Sequence, residues 1–194
     1  MEVPCEFIYD NYTYKCTVSN IDFTHNYKIA RFNGEHHRHR SDVNVTIIIF
    51  ESCFMSSFPK DLVKFFPNLA VVQMSSCGLT EIKKEDLRHY PGLIYLGIID
   101  NELTHLPGDL FKYTPKMEFI DFCNNKISTI GPLIFSSLKN VYGVNLNRNK
   151  TVDTHWITND ETSTTKDLVE LNKLIRTKCR PLESLKNLAA VKII

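Results

Sequence analysis

The sequence has no long apolar run, no strong net charge and no closely spaced pair of cysteines. Its 194 residues contain nothing near the roughly 18 consecutive apolar residues of a membrane-spanning helix, so no membrane span is predicted. A formal charge of +1 gives no general attraction to nucleic acid or to acidic membranes. The six cysteines show no CxxC spacing, so we expect neither a metal site nor a cofactor.

The first residues, MEVPCEF, also lack the charged start and apolar core of a signal peptide. If the protein is secreted, we therefore expect this sequence to be a processed form. The 43% of hydrophobic residues is enough for the chain to bury a substantial core as one domain.

The sequence does contain one spacing of apolar residues that recurs every 24 positions. From Leu69 these residues follow at steps of 3, 2, 5 and 3, which fits neither the period of a strand nor that of a helix. The same steps begin again at Val45, Leu93, Met117 and Val141, although the last copy is incomplete. A fixed period of this length indicates a solenoid in which each copy forms one coil.

The repeated unit matches LxxLxLxx(N/C)xL, and it resembles the leucine-rich repeat in its 24-residue extracellular form. The resemblance implies an α/β fold, a leucine-rich repeat solenoid of about five 24-residue repeats with a parallel concave sheet. We expect the (N/C) side chains to form a ladder that pairs backbone groups of adjacent coils, with free thiols at the cysteines. The ladder positions are Cys53, Cys77, Asn101, Asn125 and Asn149.

The chain is predicted to divide into three regions. Residues 1–44 form an N-terminal cap with a hairpin and a basic loop, residues 45–150 form the repeats, and residues 151–194 form a C-terminal helical cap or tail. The cap segment NYKIARFNGEH is expected to supply a strand that pairs with the first coil. The cap, the repeat end KFFPNL and the helical tail are similar to those of secreted leucine-rich repeat proteins of flies and mosquitoes, some of which act in immunity.

Two pairs of cysteines outside the ladder are candidates for disulfides. Cys5 and Cys16 flank an aromatic stretch that reads as two short strands, so a disulfide between them would staple a hairpin in the cap. Cys123 and Cys179 leave two alternatives open. They pair with each other, or Cys179 is free to bond another chain.

Glycosylation sequons agree with a secreted, extracellular protein. The sequons at Asn11 and Asn44 are candidate glycosylation sites. A third sequon begins at Asn149, where a glycan is not expected if the amide is buried in the ladder.

Alternation along the repeat strands predicts a binding surface on the concave face. An apolar row crosses neighbouring coils over about 15 Å at about 4.8 Å per strand, and the core does not require it. We expect another extracellular protein to bind there, and the resemblance implies a role in innate immune recognition. The alternative is that the chain's own cap or tail covers the row. The predicted partner-binding residues are Ile47, Val71, Tyr95, Phe119, Gln73, Asp121 and Ile99.

Two rival functions rest on other segments. A run of basic and imidazole side chains in the cap could bind an anionic glycan or lipid, but a solvated loop is the favoured interpretation. Its residues are His36, His37, Arg38, His39 and Arg40. The other rival is a structural protein that self-associates through apolar residues of the C-terminal helix, and a heterodimer through the same tail is also open.

No catalytic site is predicted. Cys123, Asp153 and His155 could be combined into a thiol triad. However, Cys123 falls in a repeat strand, where nothing lowers the pKa of a thiol as a strained turn or helix terminus would. We therefore expect a non-enzymatic protein.

Overall fold

A computed structural model describes residues 1–10, 13–24 and 28–150, together with the backbone of residues 155–157. The described chain consists mainly of short strands joined by turns, with 3-10 helices at Asp42–Asn44 and Leu62–Lys64. The strands are β1 (Glu2–Pro4), β2 (Glu6–Asp10), β3 (Thr13–Ser19), β4 (Asp22–Phe23), β5 (Arg31–Asn33), β6 (Ile47–Glu51), β7 (Phe54–Met55), β8 (Val71–Ser75), β9 (Tyr95–Ile99), β10 (His105–Leu106), β11 (Phe119–Asp121), β12 (Thr129–Ile130), β13 (Gly143–Asn145) and β14 (His155–Ile157).

The principal sheet carries one strand from each coil. Its order is β14-β13-β11-β9-β8-β6-β3-β2. The strands from β3 to β13 run parallel, whereas β2 and β14 add antiparallel strands at the two ends. The register from β6 to β13 follows the 24-residue period, since Ile47, Val71, Tyr95, Phe119 and Gly143 lie opposite one another in turn.

The core lies between this sheet and the turns that return the chain to the next strand. Each coil contributes inward apolar side chains at the repeated positions, and these are fully or almost fully buried. The ring of Phe111, for example, stacks between those of Phe122 and Phe135 at centroid distances of 6.4 and 6.0 Å. Because every coil packs on its neighbours, one continuous core runs through the stack.

A left-handed residue follows the strand segment in each coil and turns the chain away from the sheet. These residues have φ angles between 52° and 57°, a region that non-glycine residues adopt rarely, with asparagine and aspartate favoured. They are Ser52, Ser76, Asp100, Asn124 and Arg148, again 24 residues apart.

Asparagine side chains join neighbouring coils just after these turns. The Asn101 carbonyl oxygen accepts hydrogen bonds from the backbone N–H groups of Cys77 and Leu79, at 3.0 and 3.1 Å. Its amide donates to the backbone carbonyls of Met74 and Ile99, at 2.9 and 2.7 Å. The corresponding bonds in the next two coils are made by Asn125 and Asn149.

Thiols take the same position in the earlier coils. Cys53 donates to the carbonyl of Val18 at 3.5 Å, and Cys77 donates to that of Phe50 at 3.6 Å. Both are fully buried free cysteines. The pKa of the Cys77 thiol is raised because a hydrogen bond with Cys53 and burial both favour its neutral form. These thiols are therefore apolar fillers with one weak donor each.

The hairpin of the N-terminal region supplies a further coil that the sequence did not predict. Strand β3 pairs in parallel with β6, so that Cys16 and Val18 lie opposite Ile48 and Phe50. Asn20 is left-handed, like Ser52, and β4 then pairs with β7. The segment therefore continues the core of the first predicted repeat, with an offset of 32 residues instead of 24.

This coil changes the role expected for NYKIARFNGEH. The strand in that segment, β5, pairs in parallel with β1 and not with the first coil. The expectation was wrong because β3 already occupies the free edge of β6. The predicted disulfide between Cys5 and Cys16 is confirmed, and it ties the start of the chain to this coil.

Several predictions concern residues outside the described part of the chain. They are the sequon residue Asn11, Asp153 of the rejected triad, Cys179, and the helices expected within residues 151–194. Within the described ranges, no helix has the length and the apolar run that crossing a membrane requires.

Candidate functional site

The residues predicted to form a binding surface on the concave face lie on the side of the sheet that points away from the core. We call this side the outer face. Because side chains alternate along a strand, the first, third and fifth residues of β6, β8 and β9 point to this face. The apolar row of Ile47, Val71, Tyr95 and Phe119 crosses four neighbouring strands, and each of its members is half-buried.

Aromatic rings concentrate at one end of this row. The rings of Tyr95 and Phe119 lie nearly parallel, with an interplanar angle of 10° and a centroid distance of 5.8 Å. The ring of Tyr142, which precedes β13, is tilted against Phe119 at 5.7 Å and is 46% exposed. We call Tyr95, Phe119 and Tyr142 the aromatic patch. Sequence reasoning missed Tyr142 because it lies just before its strand, outside the alternating positions.

Two glycines allow the rings to lie low on the sheet. A Cβ atom added at Gly97 would come within 2.9 Å of the Cε1 and Oη atoms of Tyr95. One added at Gly143 would come within 2.3 Å of Cε2 of Phe119. Both glycines are buried beneath these rings. The absence of side chains at these two outward positions therefore leaves the space that the rings of Tyr95 and Phe119 occupy.

Polar groups border the patch. The Oδ1 atom of Asp121 accepts a hydrogen bond from the backbone N–H of Cys123 at 3.0 Å. Gln73, on the other side of the patch, donates to the hydroxyl of Ser75 at 3.1 Å. The pKa of Tyr95 is raised to about 12, mainly by burial and also by the negative charge of Asp121. The Tyr95 hydroxyl therefore stays protonated to a higher pH than an ordinary tyrosine.

The ion pairs of the described residues all lie away from the outer face. Every ion pair recorded in the described ranges joins residues of the cap or of the turns between strands, as in Lys60 with Asp86 and Lys83 with Glu81. Glu51 and Asp121 belong to outer-face positions of the sheet, and no cationic nitrogen of the described residues lies within 4.0 Å of either carboxylate. This face therefore has carboxylates that the described chain does not neutralise.

No protein-family model and no curated protein matches the sequence. Solved structures do match the fold. The leucine-rich repeat domain of APL1 matches with a TM-score of 0.55 and 18% identity over 77% of this chain. A structure of the Toll–Spatzle complex, described as a molecular hub in Drosophila development and innate immunity, matches with a TM-score of 0.51 and 22% identity over 63% of this chain.

The chain has a leucine-rich repeat fold. It spans only 36% of the matched APL1 chain and 17% of the matched chain of the Toll–Spatzle complex. At these identities the likeness concerns the fold alone.

The basic loop packs against the hairpin of β2 and β3. His36 accepts or donates a hydrogen bond with the Tyr14 hydroxyl through Nδ1 at 2.8 Å, and its Nε2 lies 3.2 Å from Oδ1 of Asp42. The guanidinium of Arg40 lies over the ring of Tyr9 at 4.0 Å. His37 also contacts that ring. Internal contacts thus occupy much of this cluster, and the remaining basic side chains are Arg38 and His39, both exposed.

The thiol of the rejected triad shows no sign of activation. Cys123 is half-buried on the outer face, and its pKa is raised by burial and by the neighbouring charge of Asp121. A nucleophilic cysteine requires the opposite shift, because the thiolate is the reactive form. The described residues therefore supply no support for thiol chemistry at this position.

The sequon asparagines in the described ranges have different environments. Asn44 is exposed, and its side-chain oxygen accepts a hydrogen bond from the backbone N–H of Ser41 at 3.0 Å, which leaves the amide nitrogen accessible. The amide of Asn149 instead donates to backbone carbonyls in the ladder. Asn44 is therefore the better placed of these two to carry a glycan.

Proposed function

We propose that this protein is a non-enzymatic, extracellular binding module that recognises another protein through the outer face of its sheet. The observation that carries the proposal is the aromatic patch, in which Tyr95 and Phe119 stack and continue the apolar row of Ile47 and Val71. Aromatic side chains bury a large area at a low cost in conformational entropy, and they dominate the energetics of many interfaces. The half-buried polar groups around them resemble the rim of such an interface.

The proposed setting is the extracellular space, with a role in innate immune recognition. The disulfide Cys5–Cys16 is typical of chains that fold in an oxidising compartment. One matched structure is a complex described in terms of innate immunity, which supports the proposal by analogy of fold. Self-association through the C-terminal segment is the rival reading, and concentration-dependent mass would reveal it.

The proposal is tested by capturing partners from the extracellular fluid of the source organism. Immobilised wild-type protein is compared with the variant Tyr95→Ala with Phe119→Ala, and with Phe54→Ala as a control. Phe54 is suitable because it is 64% exposed and lies in β7, outside the principal sheet. We expect the double variant to lose a protein that the wild type and Phe54→Ala both retain, with at least about 2 kcal/mol of binding free energy lost per anchor.

The double variant must also be shown to fold, because lost binding would otherwise have a trivial cause. Outward side chains contribute little to the core, so its thermal midpoint should stay close to that of the wild type. If the folded double variant captures the same protein with unchanged affinity, the binding surface lies elsewhere and the proposal is wrong.

A further inference from the structure

Asp121 is a half-buried acidic residue with no cationic side chain of the described residues in ion-pair contact with it. Some carboxylates in the cap and turns do have such a partner, for example Asp61 with Lys64 at 2.8 Å and Glu81 with Lys83 at 2.7 Å. No such partner lies within 4.0 Å of Asp121 in the ranges that the structure describes. A half-buried carboxylate without a counterion is favourable to a cation that arrives from outside.

The register of the sheet brings this carboxylate to the edge of the aromatic patch. Asp121 lies opposite Gly97 on the adjacent strand, and the hydroxyl end of Tyr95 lies over Gly97. Asp121 also follows Phe119 by two residues, so both side chains point to the outer face of β11. Ring faces and a carboxylate thus adjoin one another on adjacent strands.

One oxygen of Asp121 is held and the other is open. Oδ1 accepts the backbone N–H of Cys123, which orients the carboxylate. Oδ2 accepts no hydrogen bond from any described residue. The group is therefore positioned to receive one more donor without losing its internal bond.

The aromatic rings beside Asp121 also favour a cation. The face of an aromatic ring carries negative potential and attracts a cation within about 6 Å of its centroid. Tyr95 and Phe119 are nearly parallel and lie low on the sheet, as the short clearances above Gly97 and Gly143 indicate. A planar cation can stack on such a surface while its N–H groups reach an adjacent carboxylate.

We infer that the aromatic patch and Asp121 together bind an arginine side chain exposed on the partner protein. This inference rests on the proposed function, since it specifies what the outer face recognises. Arginine fits better than lysine because its guanidinium is planar, is weakly hydrated and can stack and donate hydrogen bonds at once. Stacking over Tyr95 and Phe119 and charge-assisted bonding to Oδ2 of Asp121 would then act on one group.

The inference is tested with a small probe, N-acetylarginine N-methylamide, titrated against the isotope-labelled full chain and followed by NMR. The matched probe is the citrulline analogue, which has the same shape and no charge. We expect the arginine probe to shift the ring signals of Tyr95 and Tyr142 and to bind at least about tenfold more tightly than the citrulline probe. Equal affinities for the two probes would overturn the inference, and so would a lysine analogue that binds as tightly as arginine.

Asp121→Asn isolates the contribution of the charge. The asparagine retains an oxygen that can accept the N–H of Cys123, so the local fold should persist. We expect the variant to bind the arginine probe no better than the citrulline probe. The control Glu81→Gln removes an exposed carboxylate from a turn and should leave the preference unchanged. A preference for arginine that survives in Asp121→Asn would contradict the inference.

These variants also separate the two proposals in the capture experiment. If Tyr95→Ala with Phe119→Ala abolishes capture while Asp121→Asn captures normally, the outer face binds the partner but recognises no arginine there. If the arginine probe binds through Asp121 while the double alanine variant captures normally, the arginine site exists but the proposed function is wrong.

Discussion

Asn125→Leu tests the ladder that joins the coils. Asn125 is buried, and its side-chain oxygen accepts the backbone N–H of Leu103 at 3.0 Å. Its amide donates to the carbonyls of Ile98, Phe122 and Cys123, at 2.7, 3.2 and 3.2 Å. Leucine has a similar size but can form none of these bonds.

The expected loss of stability depends on how many backbone groups have no other recorded partner once the Asn125 side chain is removed. The carbonyl of Phe122 also accepts the amide of Asn149, and the carbonyl of Cys123 also accepts the N–H of Asp100. The other two groups, the N–H of Leu103 and the carbonyl of Ile98, depend on Asn125 more strongly. A buried polar group left unpaired costs about 1–3 kcal/mol, so we expect a loss of about 2–4 kcal/mol in the free energy of unfolding.

Urea denaturation measures this loss against two matched variants. Asn147→Leu makes the same change one strand further along, at a half-buried side chain that forms no hydrogen bond with described residues, and it should cost little. Asn125→Cys should cost less than Asn125→Leu, because Cys53 and Cys77 occupy the equivalent position in other coils and each donates to a carbonyl. If Asn125→Leu has the same midpoint as the wild type, the ladder does not hold the coils together.

Three further predictions concern close packing, thiol burial and ionisation. Gly131→Ala should lower the melting temperature more than Gly143→Ala. A Cβ added at Gly131 would lie 2.1 Å from the backbone nitrogen of Gly108, whereas one added at Gly143 would meet the Phe119 side chain, which can move. The reverse order of melting temperatures would contradict this packing. Cys53 and Cys77 should resist iodoacetamide until the protein unfolds, because both are fully buried; mass spectrometry would expose early labelling. Tyr95 should ionise near pH 12, so the free energy of unfolding should fall as the pH rises from about 10 towards 12, and Tyr95→Phe should lose this component of the fall.

The period of the sequence predicted a solenoid, and the resemblance of its repeated motif to LxxLxLxx(N/C)xL predicted the leucine-rich repeat fold. Apolar residues at fixed steps determine which side chains point inward, and the 24-residue offset determines which residues lie opposite one another on adjacent strands. The row from Ile47 to Phe119 follows from that register alone. The disulfide Cys5–Cys16 followed from its position around a hairpin.

The extra coil in the N-terminal region was missed for a definite reason. Its residues Cys16, Val18, Ile21 and Phe23 repeat the strand spacing of Ile48, Phe50, Cys53 and Met55. However, they lie 32 residues earlier because the chain between them contains β5 and the basic loop. A search at a single period cannot detect a coil that is separated by an insertion, whereas a search for the spacing itself would have detected it.

The details of the aromatic patch also required the structure. Sequence alternation placed Tyr95 and Phe119 on the outer face, but it could not show that their rings lie across Gly97 and Gly143. Which side chains fill the space above a glycine depends on rotamers in neighbouring strands. For the same reason, the packing of Arg40 on Tyr9 could not be read from the basic run.

Photo-crosslinking tests the central claim, that the outer face binds another protein, most directly. Phe119 is replaced by p-benzoylphenylalanine, and the labelled protein is irradiated in the extracellular fluid of its source, with the same label at Phe54 as the control. The account predicts a crosslink from position 119 to a second protein, one that the label at position 54 does not capture. A crosslink from position 119 only to peptides of residues 151–194 of the same chain would contradict it, because the chain's own tail would then cover the patch.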